Sequence, residues 1–109
     1  MPHPSEHGAA ERPLVAGEAE EIAETLKALG SPARLRVLVE LLAGDRAVDQ
    51  LAIAADLSPS ATSHHLRLLR SLRLVRARRD GRNVVYSLYD HHIVDLLAAV
   101  RHHQEHVHP

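Results

Sequence analysis

The stretch DLSPSATSHHLRLLRSL, from Asp56 to Leu72, decides the fold. Ser58 followed by Pro59 predicts a helix start, because serine caps a first turn and proline fits its first position. The stripe of this helix predicted to be buried comprises Thr62, Leu66 and Leu69. A shorter helix is predicted over Val48–Ala55, directly before the tight turn. Two helices joined in this way form a helix-turn-helix.

The other face of the second helix carries hydrogen-bond donors of short or flexible reach. An arginine on such a face readily donates two hydrogen bonds to the edge of a guanine in the major groove. The side chains predicted to enter the groove are Ser60, Ser63, His64 and Arg67.

A β-hairpin is predicted immediately after this helix. The strands Leu74–Arg78 and Asn83–Leu88 flank Arg79-Asp80-Gly81-Arg82, and Asp-Gly is a strong hairpin turn signal. Arginines at a hairpin tip are suited to phosphates or the minor groove. The predicted contacts here are Arg78, Arg79 and Arg82. A hairpin in this position is the wing of a winged helix.

Three further helices complete the predicted fold, which is mainly α with a β-hairpin wing. They run over Glu18–Leu29, from Ser31-Pro32 to Gly44, and from His91 to about Val107, where Asp90 supplies the cap. In the short helix Val48–Ala55, Leu51 and either Ile53 or Ala54 are predicted to face inward, and Ala47 is a poor cap. Residues 1–16 are predicted to be a mobile arm, and residues 17–109 one domain.

Composition narrows the function. The 109 residues suit one domain, and the absence of cysteine excludes disulfides and thiolate metal sites. No apolar run is long enough for a membrane span, so a cytoplasmic protein without a membrane partner is expected. The net charge is only −1, but seven arginines lie between Ser58 and Arg82 with Asp80 as the single acid. Such a basic stripe is typical of a phosphate-backbone binder, but a solvated charged face would show the same charges, and charge alone does not decide between the two.

Three stretches together resemble the ArsR/SmtB metal-responsive repressors. They are LGSPARLRVL (residues 29–38), LSPSATSHHL (57–66) and RDGRNVVYSL (79–88), and the resemblance extends from Glu18 to His106. It implies a homodimer that binds an inverted-repeat DNA operator without metal and releases it when metal binds. A scattered set of carboxylates with no nucleophile constellation argues against an enzyme.

The same resemblance points to metal ligands on the last helix. The family pattern is Asp-x-His, ten residues, His, two residues, then His or Glu. Here it is matched by Asp90, His92, His103 and His106. The family's alternative cysteine site is absent.

Helix geometry explains why such a site needs two chains. His92 and His103 return to nearly the same face, but roughly 16 Å apart along the axis at 1.5 Å per residue. Metal–nitrogen bonds are about 2.1 Å, so the two ends of one helix cannot bind one ion. Two antiparallel copies would bring Asp90 and His92 of one subunit to His103 and His106 of the other, which gives two sites per dimer.

The choice of metal is less constrained. Three imidazoles and a carboxylate suit tetrahedral Zn(II), while Ni(II) and Co(II) accept further ligands. Candidate extra ligands are His3 and His7 in the arm and His108 after the site. Some family members resemble this arrangement, with an N-terminal histidine completing a six-coordinate nickel or cobalt site. This narrowly favours Ni(II), and a bystander role for the arm stays open. The alternative function is a winged-helix regulator of another signal whose histidines form a metal-buffering tail.

Overall fold

The computed structural model describes residues 11–107, and its helices follow the predicted order. The helices are α1 (Glu18–Leu29), α2 (Pro32–Leu42), α3 (Val48–Ala55), α4 (Pro59–Ser71) and α5 (His91–Val107). The strands are β1 (Arg46–Ala47), β2 (Val75–Asp80) and β3 (Asn83–Leu88). No helix in this range is long and apolar enough to cross a membrane.

Serine-proline pairs start two of the helices, as predicted. The Ser31 hydroxyl accepts a hydrogen bond from the Arg34 N–H at 3.2 Å, and the Ser58 hydroxyl accepts one from Ala61 N–H at 3.0 Å. Helix α3 has no capping side chain at Ala47. Instead, the Gln50 side chain accepts a hydrogen bond from the Ala47 N–H at 2.9 Å, which satisfies one free donor of the first turn.

The helix-turn-helix consists of α3 and α4. Leu66, Leu69 and Thr62 of α4 are fully buried, and the Thr62 hydroxyl donates to the Ser58 carbonyl at 2.9 Å. The buried polar group is therefore satisfied, and the predicted stripe of α4 is confirmed.

The predicted inward face of α3 was partly wrong. Leu51 is buried, but Ile53 is 83% exposed and Ala54 is exposed as well. Ala52 and Ala55 are buried instead. Residues four apart share a helix face, so Ala55 lies beneath Leu51, whereas a residue two positions away points elsewhere.

The wing is part of a three-stranded antiparallel sheet with the order β1-β3-β2. Asp80 pairs with Asn83, so the turn is Gly81-Arg82 and β2 is two residues longer at this end than predicted. Gly81 has φ +64°, a conformation that glycine adopts at no steric cost. Strand β1 was not predicted, because two residues are too few to show an alternating pattern. The winged helix-turn-helix fold is confirmed.

Helices α1 and α5 leave apolar surface exposed. Ala28 is the buried residue of α1, while Ile22 and Leu26 on the same helix are exposed. On α5, Ile93 and Leu97 join the core, whereas Leu96 and Val100 are exposed. The described chain thus covers the apolar stripe of α4 more completely than those of its first and last helices.

Candidate nucleic-acid interface and metal ligands

The predicted groove-reading side chains share the outer face of α4. Ser60, His64 and Arg67 are exposed and Ser63 is half-buried, on the side away from the buried leucines. Ser58 caps this helix and Pro59 occupies its first turn, so the sequence fixes where the helix begins and which residues lie on its polar face.

The predicted phosphate contacts lie on the wing. Arg79 and Arg82 are exposed beside the turn, and Arg78 forms an ion pair with Asp45 in the connection between α2 and β1, at 3.0 Å. Exposed ion pairs contribute only about 0–1 kcal/mol, so a phosphate can compete with Asp45 for Arg78 at little cost.

Sequence reasoning did not single out Arg76, whose side chain contacts Tyr89 in the structure. Its guanidinium lies 4.1 Å from the centre of the Tyr89 ring, and its Nε donates to the Tyr89 carbonyl. Together with Arg70 and Arg78, Arg76 lines a pocket of about 410 Å³ between α4 and the wing. The run of arginines pointed to this basic region, but the orientation of Arg76 depends on Tyr89, which lies thirteen residues away along the chain.

The four predicted metal ligands form two separate pairs. At the start of α5, the Asp90 carboxylate accepts the His92 N–H at 3.1 Å, as predicted for a cap, and also contacts the His92 ring. His103 and His106 lie exposed at the other end of the helix. Within residues 11–107, no three histidine or acidic side chains of one protomer are grouped closely enough to hold an ion.

The three further predicted donors, His3, His7 and His108, lie outside the described residues. His91 and His102, which the family pattern does not include, are exposed, and His91 Nε2 lies 3.7 Å from the Asp95 carboxylate.

An apolar groove of about 570 Å³ runs along α5 next to the end of α1. Its apolar lining includes Leu35 and Val39 of α2 and Leu96 and Val100 of α5. Arg36, Arg101, Gln104 and Glu105 also line it. The groove continues the exposed apolar stripe of α5.

One histidine of α4 faces inward. His65 is half-buried, and its burial, together with the charges of Arg34 and His64, lowers its pKa below the usual value. The sequence placed His65 on the DNA-reading helix but gave it no role, because its partner Arg34 lies thirty-one residues earlier in the chain.

Residues 31–77 match the arsR family of bacterial regulatory proteins. The transcriptional regulator NmtR of Mycobacterium tuberculosis is 47% identical over 96 residues, which cover 88% of this chain and 80% of NmtR. The chain belongs to the ArsR family. The sequence resemblance to ArsR/SmtB regulators is thereby confirmed.

Other relatives agree with this assignment. The SmtB repressor homologue of Synechocystis is 48% identical over 86 residues, covering 79% of this chain and 65% of the homologue. The solution structure of apo-NmtR superposes with a TM-score of 0.73 at 46% identity, covering 90% of this chain and 82% of NmtR. The homodimeric winged-helix fragment Mb0332 of Mycobacterium bovis gives a TM-score of 0.75 at 30% identity, covering 86% of this chain and 90% of that fragment. The ArsR-family chain described here is a DNA-binding transcriptional regulator and not an enzyme.

Proposed function

We propose that this chain is a homodimeric repressor that leaves an inverted-repeat DNA operator when a transition-metal ion binds between its two α5 helices. The observation that carries the proposal is the division of the predicted ligands into two pairs at opposite ends of one exposed helix. Asp90 and His92 of one subunit would meet His103 and His106 of the partner subunit, once at each end.

The apolar surface supports the dimer. At about 100° per residue, His92, Leu96 and His103 lie within roughly 40° of one another around α5. The ligand pairs therefore border the exposed Leu96 and the groove that it helps to line. An antiparallel partner helix seated there would cover apolar surface and bring the two ligand pairs together. The homodimeric relative Mb0332 is consistent with this assembly.

The donor chemistry supports a borderline transition metal. Three imidazoles and one carboxylate suit Zn(II), Ni(II) or Co(II), and the cysteine-free chain offers no thiolate for softer ions. A bound metal would fix the two α5 helices, and with them the separation of the two α4 helices. If that separation differs from one helical turn of DNA, binding weakens, and DNA must weaken metal binding by the same factor.

A metal series tests the proposal. DNA affinity is measured without metal and with Ni(II), Co(II) or Zn(II) at one fixed salt concentration. The probe is a duplex selected by the protein from a random pool. Weaker binding with at least one metal is expected. Equal affinity in every case would instead favour the alternative, in which the histidines only buffer metal.

Ni(II) is our first choice among these metals, with His3, His7 and His108 as candidate additional ligands. Deletion of residues 1–8 should change the Co(II) spectrum from weak six-coordinate absorption to intense tetrahedral-like bands. The deletion should also remove the Ni(II) response while Zn(II) binding persists. An unchanged spectrum and Ni(II) response would make the arm a bystander and zinc the first choice.

A further inference from the structure

Arg34 connects three helices of the domain. It lies in α2, and its Nε donates to the carbonyl of Ala28 in the last turn of α1 at 2.8 Å. Its Nη1 lies 3.4 Å from Nδ1 of His65 on α4. One side chain therefore joins the end of α1 to the middle of the DNA-reading helix.

The protonation state of His65 follows from its partner. A guanidinium only donates hydrogen bonds and keeps its charge at all relevant pH values, so Nδ1 of His65 must accept. His65 is then neutral, with its proton on Nε2. The lowered pKa of His65, caused first by burial and then by Arg34 and His64, favours the same neutral form.

A pocket of about 210 Å³ lies between α1 and α4, so apolar contacts fill only part of the space between these two helices. Its lining comprises Glu24, Lys27, Ala28, Arg34, Leu68 and Leu72. Apolar contacts are non-directional, whereas a hydrogen bond weakens steeply when its angle changes. His65 also directly follows His64, a predicted DNA contact, and precedes the fully buried Leu66.

We propose that Arg34 and His65 form a positioning pair that sets the orientation of the recognition helix and thereby its preference for specific DNA, without contacting DNA. The proposal rests on the proposed DNA-reading role of α4. Because α1 carries the exposed Ile22 and Leu26, the pair also connects this apolar surface of α1 to the reading helix.

Substitutions at both positions test the pair. His65→Leu removes the acceptor, whereas His65→Asn keeps one, since the asparagine Oδ1 lies close to the position of Nδ1. Arg34→Met removes the donor, and the double variant Arg34→Met/His65→Leu measures coupling. Affinity is measured for the selected duplex and for a scrambled duplex of the same composition. Circular dichroism and sedimentation establish that each variant is folded and assembled like the wild type.

His65→Leu should weaken binding to the selected duplex roughly tenfold, as expected for a lost hydrogen bond to a charged group. Binding to the scrambled duplex should be unchanged. His65→Asn should stay within about threefold of wild type, and the double variant should lose no more than Arg34→Met alone, since both changes break one interaction. Equal losses of affinity for both duplexes in Arg34→Met would overturn the proposal, because Arg34 would then act through its charge on DNA phosphates.

A pH series gives a second readout that loss of packing would not reproduce. As pH falls below the ordinary histidine range, protonated His65 cannot accept from Arg34, so wild-type discrimination between the duplexes should decline. The charged and titratable groups facing this region are Arg34 on α2, Glu24 and Lys27 on α1, and His64 on α4. All of them remain in His65→Asn, whose discrimination should decline less. Identical pH profiles for the two proteins would overturn the proposal.

Arg67→Ala serves as the reference for the underlying function. If it lowers specific binding and the pair variants do not, the positioning role is wrong while the reading role of α4 stands. If neither lowers specific binding, the reading role is wrong and the proposal falls with it.

Discussion

Helices α4 and α5 differ in how completely a single chain buries their apolar side chains. Helix α4 has a serine cap, and its apolar stripe is fully buried in the same protomer. Helix α5 is four residues longer, but only Ile93 and Leu97 of it are buried. Its apolar residues Leu96 and Val100 and its candidate ligands remain on the surface.

This difference corresponds to the two parts of the proposed function, DNA reading by α4 and metal binding by α5. The DNA-reading face needs only one chain to form, because its backbone and core are satisfied within the protomer. The proposed metal site would need a second chain, because its candidate ligands lie at opposite ends of one helix. In this proposal, metal would act on DNA binding by changing how the two helix-turn-helix units of the dimer are placed relative to each other.

The largest expected effect concerns the ligand pair at the end of α5. His103→Ala should abolish the effect of every metal on DNA affinity, because it breaks the proposed bridge between subunits. DNA affinity without metal should stay near the wild-type value. The matched control is His102→Ala, which changes the neighbouring exposed histidine. If both variants respond to metal like the wild type, the α5 site does not carry the regulation.

The next effect concerns assembly. Val100→Glu should shift the dimer toward monomer, because it places a charge in the apolar groove along α5. Sedimentation at micromolar concentration without metal measures the shift. Ile53→Glu is the control, since Ile53 is 83% exposed on α3, away from that groove. A wild-type protein that sediments only at 12.0 kDa would contradict both the dimer and the shared site.

A smaller effect distinguishes the helix from the wing. Arg67→Ala should weaken specific binding by about 1–3 kcal/mol and relax the preference at one base pair. Arg79→Ala or Arg82→Ala should lower affinity evenly across sequences and flatten its salt dependence, as expected for phosphate contacts. Titrations on duplexes with single base changes at several salt concentrations provide the measurement. The opposite pattern would assign sequence reading to the wing.

The smallest effect concerns the cap of α4. Ser58→Ala should reduce the free energy of unfolding by about 1 kcal/mol, because the Ala61 N–H loses its side-chain acceptor. Ser71→Ala, at the exposed end of the same helix, should change it by less than about 0.5 kcal/mol. Urea unfolding compares the two. Equal effects would mean that the start of α4 is held by its packing and not by its cap.

Local signals in the sequence were sufficient for most of the fold. Ser31-Pro32 and Ser58-Pro59 predict helix starts because capping and proline geometry involve only neighbouring residues. Asp80-Gly81 likewise predicts a hairpin between two strands. The errors have a different cause, since the inward face of α3 follows the four-residue spacing from Leu51 to Ala55 and β1 is too short to show an alternating pattern.

For the candidate sites too, the sequence determined some features and the tertiary structure determined others. The sequence by itself determined the chemistry available, namely histidine and carboxylate donors on the last helix and arginines around the helix-turn-helix. The tertiary structure decided which distant side chains meet within one protomer: Arg34 with His65, Arg76 with Tyr89, and Arg78 with Asp45. The physical reason is that residue type and spacing fix what a segment can bond, whereas distant partners become neighbours only when the helices pack around a shared core.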